Sequence, residues 1–297
     1  MCRLFGMTAA PHRDRATFWL LDAEDGLAVQ SRGEPDGTGL GAFDEHGLPV
    51  VSKQEIAAYE DLAFAREARE LASTTFVAHI RYASTGPVAL NNTHPFCQQG
   101  RLLAHNGVIG DLERLERELG EQRALVYGDT DSERFFALVT RRIAQCDGDV
   151  TAGLTAAARF AASELPLYAL NIVLITSTEL WALRYPETHG LFVLERGVAG
   201  RRRHLDHASA AGTVRVRSAD AARHSTVVVA SEPMDEDPRW SALESGELLH
   251  VDAQLRARRT RVLPDPPAHP LTLADLDVRA AASQRHNSTP EAGSSGV

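Results

Sequence analysis

The order in which short β-like runs and amphipathic helices follow one another constrains this chain most. Residues 2–8, 40–43, 48–53, 74–81 and 102–105 read as strands, two of them flanking the turn Asp44-Glu45-His46-Gly47 as a hairpin. Two longer helices follow, over 132–144 and 149–164. Further β-like runs occupy 168–176, 180–184, 191–195, 214–217, 226–230, 248–251 and 258–263. Strands, then helices, then strands again predict a layered α+β protein whose sheets pack face to face with helices outside. Shorter helical patterns lie over 13–29, 60–71 and 111–119. No internal repeat is evident. We expect one domain over 1–263, a length that a single core accommodates. The remainder, 264–297, carries Pro264, Pro266, Pro267 and Pro270 and ends in a Ser/Gly-rich stretch, so it is expected to be a loose or disordered tail.

Composition removes several functions. A formal charge of −9 argues against a general nucleic-acid binder, which presents a basic face. Lys53 is the single lysine, there is no GxxxxGK[ST] phosphate loop, and a Schiff-base mechanism is not indicated. The cysteines Cys2, Cys97 and Cys146 are odd in number and lack CxxC spacing, so neither a disulfide framework nor a zinc ribbon is expected. No run approaches the roughly 18 apolar residues needed to cross a bilayer, and the N-terminus lacks a signal pattern, so we expect a cytoplasmic protein with no membrane partner. Small solutes or proteins remain as partners.

The residue with the most chemistry is Cys2. Removal of Met1 would give it both a thiol and a free α-amine, whose pKa of about 8 suits it to take a proton near neutral pH. Nucleophile and base would then share one residue. Other positions are open to two readings. Asn106-Gly107 between apolar runs is a strong hairpin signal. Asp131 is either the N-cap of the 132–144 helix or a carboxylate facing a ligand at that helix's positive end. The turn-rich stretch 31–39 is either a ligand-side loop or a plain connection. His79, His94 and His105 have no usual metal-ligand spacing and are expected to be packed or hydrogen-bonded, with no metal site. The Arg201-Arg202-Arg203 cluster reads as a loop.

Met-Cys at the start, Ala78-His79-Ile80-Arg81-Tyr82-Ala83-Ser84-Thr85-Gly86, Asn92-Thr93-His94-Pro95-Phe96, Ala104-His105-Asn106-Gly107 and Asp129-Thr130-Asp131-Ser132-Glu133 occur in the order that resembles class II glutamine amidotransferases, especially the stand-alone members. Ala230-Ser231-Glu232-Pro233-Met234 extends the likeness. The resemblance implies an N-terminal-nucleophile (Ntn) hydrolase fold, a four-layer αββα sandwich of two antiparallel sheets between helical layers. It implies that Cys2 attacks the γ-carboxamide of glutamine or of a γ-glutamyl amide. Asn106 and Gly107 would stabilise the oxyanion, which overrides the hairpin reading of that dipeptide. Arg81 would grip the substrate α-carboxylate, Asp131 the α-ammonium, and Ser84 and Gly86 would line the pocket. Tyr82 departs from the tryptophan common in larger relatives. No cofactor is implied. The partners left open are a separate synthase subunit accepting ammonia, or none beyond the small-molecule substrate. A non-catalytic γ-glutamyl-binding or protein-binding relative is the alternative.

Overall fold

The computed structural model describes residues 2–33, 36–83, 86–197, 205–208, 215–218 and 224–284. Two sheets dominate. The first runs in the order Ser241–Ala242, Phe192–Arg196, Thr226–Ala230, Arg3–Thr8, Thr75–Arg81, Gly37–Phe43, Pro49–Gln54. The second runs Ala257–Arg261, Glu247–Val251, Leu180–Arg184, Pro166–Ile175, Arg101–Ile109, Phe96–Gln98. Both are antiparallel along these paths, and His269–Pro270 adds a short parallel pairing to the Pro166 end of the second. A separate hairpin pairs Leu205–Ala208 with Arg215–Ser218.

Alternation along each strand builds the layers. Leu4, Val77, Leu102, Ala104, Val173 and Leu180 fill the space between the sheets. Their neighbours Phe5, Phe76 and Val228 turn the other way, onto Trp19, Leu20 and Phe64 of an outer helical layer. Beyond the second sheet, Leu103, Leu170 and Ile172 meet Phe135, Leu138 and Leu154 of the helices Asp131–Gln145 and Val150–Glu164. The result is the expected αββα sandwich. The spacing of Phe135, Leu138, Val139 and Ile143 is the i, i+3, i+4 stripe that makes the first of these helices amphipathic.

Three local readings change. The pattern over 13–29 is not one helix: a single wide turn at Phe18–Asp22 and a short helix at Leu27–Gln30 flank Asp25-Gly26, where Gly26 is the extended N-cap. Asn106-Gly107 makes no hairpin, because the strand Arg101–Ile109 runs straight through it and pairs Asn106 with Asn171 and Gly107 with Leu170. Residues 264–284, read from their prolines as loose tail, instead pack on the domain. Leu271 and Leu276 lie against Val108, Tyr168 and Ala169, the Val278–Gln284 helix buries Ala280 and Ala281, and the Gln284 carboxamide oxygen lies 2.8 Å from His189 Nε2. A few well-spaced apolar side chains suffice to dock a segment whose average composition is polar. Residues 285–297 and the Arg201-Arg202-Arg203 cluster lie outside the described residues.

Candidate active site

Cys2 immediately precedes the central strand Arg3–Thr8 and is 7% exposed. Its neighbour Thr75–Arg81 is in register with it, Arg3 opposite Ile80, which brings the end of that strand alongside the sulphur. The Tyr82 backbone N–H donates to Cys2 Sγ at 3.2 Å, and the thiol is 3.4 Å from the Tyr82 carbonyl. From the facing sheet, the side-chain amide of Asn106 donates to the Cys2 carbonyl at 3.0 Å. Asn106 is buried, and its Oδ1 has no hydrogen-bond partner among the described residues.

Gly107 lies beside it with a φ of +154°. A Cβ there would fall 1.9 Å from the Ala169 carbonyl oxygen, so the close approach of the two strands excludes every side chain. This requirement explains a glycine in mid-strand, where it would otherwise weaken the pairing.

Arg81 is buried at the end of its strand and donates to the carbonyls of Pro87, at 3.1 Å, and Gly86, at 3.5 Å. Burial pulls its pKa below the usual arginine value, while Cys2, Asp36 and Asp131 act in the opposite sense. Gly86 has a φ of +74°, the left-handed region, in the loop whose carbonyls Arg81 holds, and is not among the residues that line the cavity around Cys2. Asn92 fastens the same loop, donating to Pro87 O at 3.2 Å and to Asp129 Oδ2 at 3.1 Å while accepting from Asp129 N–H at 2.7 Å. Ser84 lies outside the described residues.

Asp131 is the first residue of its helix, and the cap is Thr130, whose hydroxyl accepts from Glu133 N–H at 3.2 Å. The Asp131 carboxylate accepts from Ile109 N–H at 2.8 Å and from Ser132 N–H at 2.9 Å. It is therefore locked by two backbone donors, at a helix N-terminus that favours negative charge.

Cys2, Arg81, Gly107 and Asp131 line one cavity of about 20 Å³ together with His79 and His94. His105, also on the lining, is hydrogen-bonded at both ring nitrogens, to Ser132 Oγ at 2.8 Å and to Ala169 O at 3.2 Å. His79 and His94 are packed, as expected, against each other and Phe96, while no ring nitrogen of either is in hydrogen-bonding geometry with another described residue. Burial, reinforced by the other cationic groups around them, holds His79 down at about 3 and His94 well below the usual histidine value. No group of three or more His, Cys, Asp or Glu among the described residues has the arrangement of a metal site.

Four contributions were not predicted: the Tyr82 backbone at the sulphur, the Thr130 cap, the Asn92 staple, and Asp36, whose Oδ2 accepts from Ala83 N–H at 2.9 Å and lies 3.8 Å from Arg279 of the C-terminal helix. Only Thr130 had a local sequence signal, as the Thr of a Thr-x-x-Glu capping pattern.

A strand-borne cysteine of this kind, two facing antiparallel sheets and outer helices define the Ntn type of amidotransferase, and the chain belongs to the class II glutamine amidotransferases, whose family pattern matches residues 1–268. It is thus an amide-hydrolysing enzyme. It is 26% identical over 257 residues to YafJ of Escherichia coli (strain K12), covering 83% of this chain and 96% of that protein. It is 29% identical over 262 residues to the γ-glutamyl-hercynylcysteine sulfoxide hydrolase of Mycolicibacterium smegmatis, covering 84% and 96% respectively. The glutamine phosphoribosylpyrophosphate amidotransferase of B. subtilis shares the fold, with a TM-score of 0.61 at 18% identity over 89% of this chain and 50% of that one.

Proposed function

We propose that the protein cleaves the γ-amide of a γ-glutamyl compound through a thioester on Cys2, after removal of Met1. The observation that carries this reading is the shared cavity of Cys2, Arg81, Gly107 and Asp131. In the proposed reaction the Cys2 α-amine takes the thiol proton, and Sγ attacks the γ-carbonyl carbon. The Tyr82 N–H at the sulphur supports the anionic form that attacks. The oxyanion that develops is received by the Asn106 amide and the Gly107 N–H. An amide NH₂ has two hydrogens, so the bond from Asn106 to the Cys2 carbonyl leaves one for this purpose. The α-ammonium of Cys2 then protonates the departing amine, and water hydrolyses the thioester to release glutamate.

Arg81 and Asp131 are assigned to the substrate's α-carboxylate and α-ammonium. Both are buried, so an amide lacking that amino-acid end would forgo two charge-assisted contacts and bind poorly. Ser84 and Gly86 are assigned to the pocket rim. The near end-to-end match to the γ-glutamyl-hercynylcysteine sulfoxide hydrolase supports a substrate larger than glutamine. A free-standing glutaminase that passes ammonia to a separate synthase is the second reading; the family description supports its use of glutamine.

A screen of γ-glutamyl amides, glutamine included, with mass detection of both products, tests the proposal. Faster turnover of a larger amide supports the first reading, and glutamine preference with stimulation by a partner supports the second. Turnover that survives Cys2→Ala excludes both.

A further inference from the structure

Asp36 sits where the turn-rich stretch 31–39 enters the Gly37–Phe43 strand, and two of its hydrogen bonds reach the end of the neighbouring Thr75–Arg81 strand. Its backbone N–H donates to the Arg81 carbonyl at 3.2 Å. Its Oδ2 accepts from the Ala83 N–H at 2.9 Å. An Asp in a turn ordinarily caps its own backbone two or three residues on, but this carboxylate binds an amide 47 residues away. The pairing of Gly37 with Arg81 supplies the register that brings it there.

The residue between those two anchors is Tyr82, and both of its backbone groups face the nucleophile. The Tyr82 N–H donates to Cys2 Sγ at 3.2 Å, and the thiol is 3.4 Å from the Tyr82 carbonyl. A peptide unit is planar, with its C=O and N–H pointing in opposite directions. The Arg81 carbonyl and the Tyr82 N–H are the two ends of one such plane; the Tyr82 carbonyl and the Ala83 N–H are the two ends of the next. Asp36 therefore holds the outer end of each plane whose inner end meets the sulphur. The backbone bond fixes the first plane and the side-chain bond fixes the second. Arg279 of the C-terminal helix lies 3.8 Å from the Asp36 carboxylate, and Arg81 is within its electrostatic reach, so the anion behind the sulphur is balanced by cations.

We propose that Asp36 is a positioning residue for the cleavage: through the two peptide planes of Tyr82 it fixes the place and direction of the Cys2 sulphur for attack on the γ-carbonyl carbon. The inference rests on the reading of Cys2 as nucleophile. Asp36 itself touches no reacting atom. Arg81 keeps its own hold on the Pro87 and Gly86 carbonyls, so the role assigned to Asp36 is separate from the grip on the substrate's amino-acid end.

The test is stopped-flow acylation by γ-glutamyl-p-nitroanilide, with the mass of the Cys2 thioester followed in parallel. In Asp36→Ala the acylation rate should fall about 10- to 100-fold, the cost of a slightly misplaced reacting group. KM should stay within about threefold, as expected when ground-state binding is untouched. Asp36→Asn keeps an acceptor for the Ala83 N–H without the charge and should recover acylation to within about threefold of wild type. Alkylation of Cys2 by iodoacetamide, at a pH where the thiol is fully ionised, should not fall in either variant, because a small reagent needs no aim. Peptide masses count Cys97 and Cys146 apart. Should Asp36→Ala fail to fold, Asp36→Glu, which displaces the acceptor by one methylene and keeps the charge, carries the same expected loss. Undiminished acylation in the Ala or Glu variant, an Asn variant as slow as Ala, or alkylation falling with acylation overturns the positioning role while leaving Cys2 as nucleophile. Absence of any thioester on Cys2 in the wild-type enzyme overturns both.

Discussion

The side-chain amide of Asn106 reaches across from one sheet to the Cys2 carbonyl on the other, at 3.0 Å. This bond sets the nucleophile's backbone against the residue assigned to the oxyanion. Asn106→Ala should therefore lower kcat by about 100- to 1000-fold and cost about 1–3 kcal/mol of stability. Steady-state kinetics and thermal unfolding of the same preparation check both expectations.

Cys2→Ala should abolish product release from every γ-glutamyl amide. The side chain is small and sits beside a strand end, so unfolding should shift by no more than about 1 kcal/mol. Residual hydrolysis in a metal-free, protease-free preparation contradicts the mechanism.

Gly107→Ala should damage the fold before the chemistry. Its methyl group would fall 1.9 Å from Ala169 O, and relief requires separating two paired strands. A loss of about 3 kcal/mol or more is expected, read from denaturant midpoints.

Asp131→Asn should raise KM well above any effect on kcat, since a neutral amide keeps an acceptor for Ile109 N–H or Ser132 N–H but no longer attracts the substrate ammonium. An unaltered KM removes Asp131 from the recognition scheme.

Stability should fall on acidification because of the buried histidines. His79 titrates at about 3 in the folded protein against about 6.5 when unfolded. The unfolded chain therefore binds the extra proton first. Stability from this group is intact above pH 6.5 and is lost between there and about pH 3, by about 1.4 kcal/mol per pH unit where only the unfolded form is protonated. In His79→Gln the slope of unfolding free energy against pH over this window should flatten.

Much of the fold was legible because period-two strands and the Phe135, Leu138, Ile143 stripe report burial directly. The layered α+β arrangement followed from element order, and the four-layer sandwich of antiparallel sheets from the family resemblance. The site was legible differently: Cys2, Arg81, Asn106, Gly107 and Asp131 came from motifs, and local propensity read Asn106-Gly107 as a turn. The pairing of Gly107 with Leu170, and the Ala169 carbonyl that forbids a Cβ, depend on a strand more than sixty residues away. The hydrogen-bond state of His79 and His94 was equally hidden, since it depends on what each sheet leaves facing the other. Composition misled most at 264–284, where averages concealed Leu271, Leu276, Ala280 and Ala281.

That docked C-terminal segment bears on how the enzyme is handled. A recombinant version trimmed at Leu263 would strip the cover from Val108, Tyr168 and Ala169, immediately behind Gly107, and remove the Gln284 contact of His189. The newly bared apolar patch invites self-association, so a preparation cut there would aggregate and lose turnover together, and its inactivity would say nothing about Cys2.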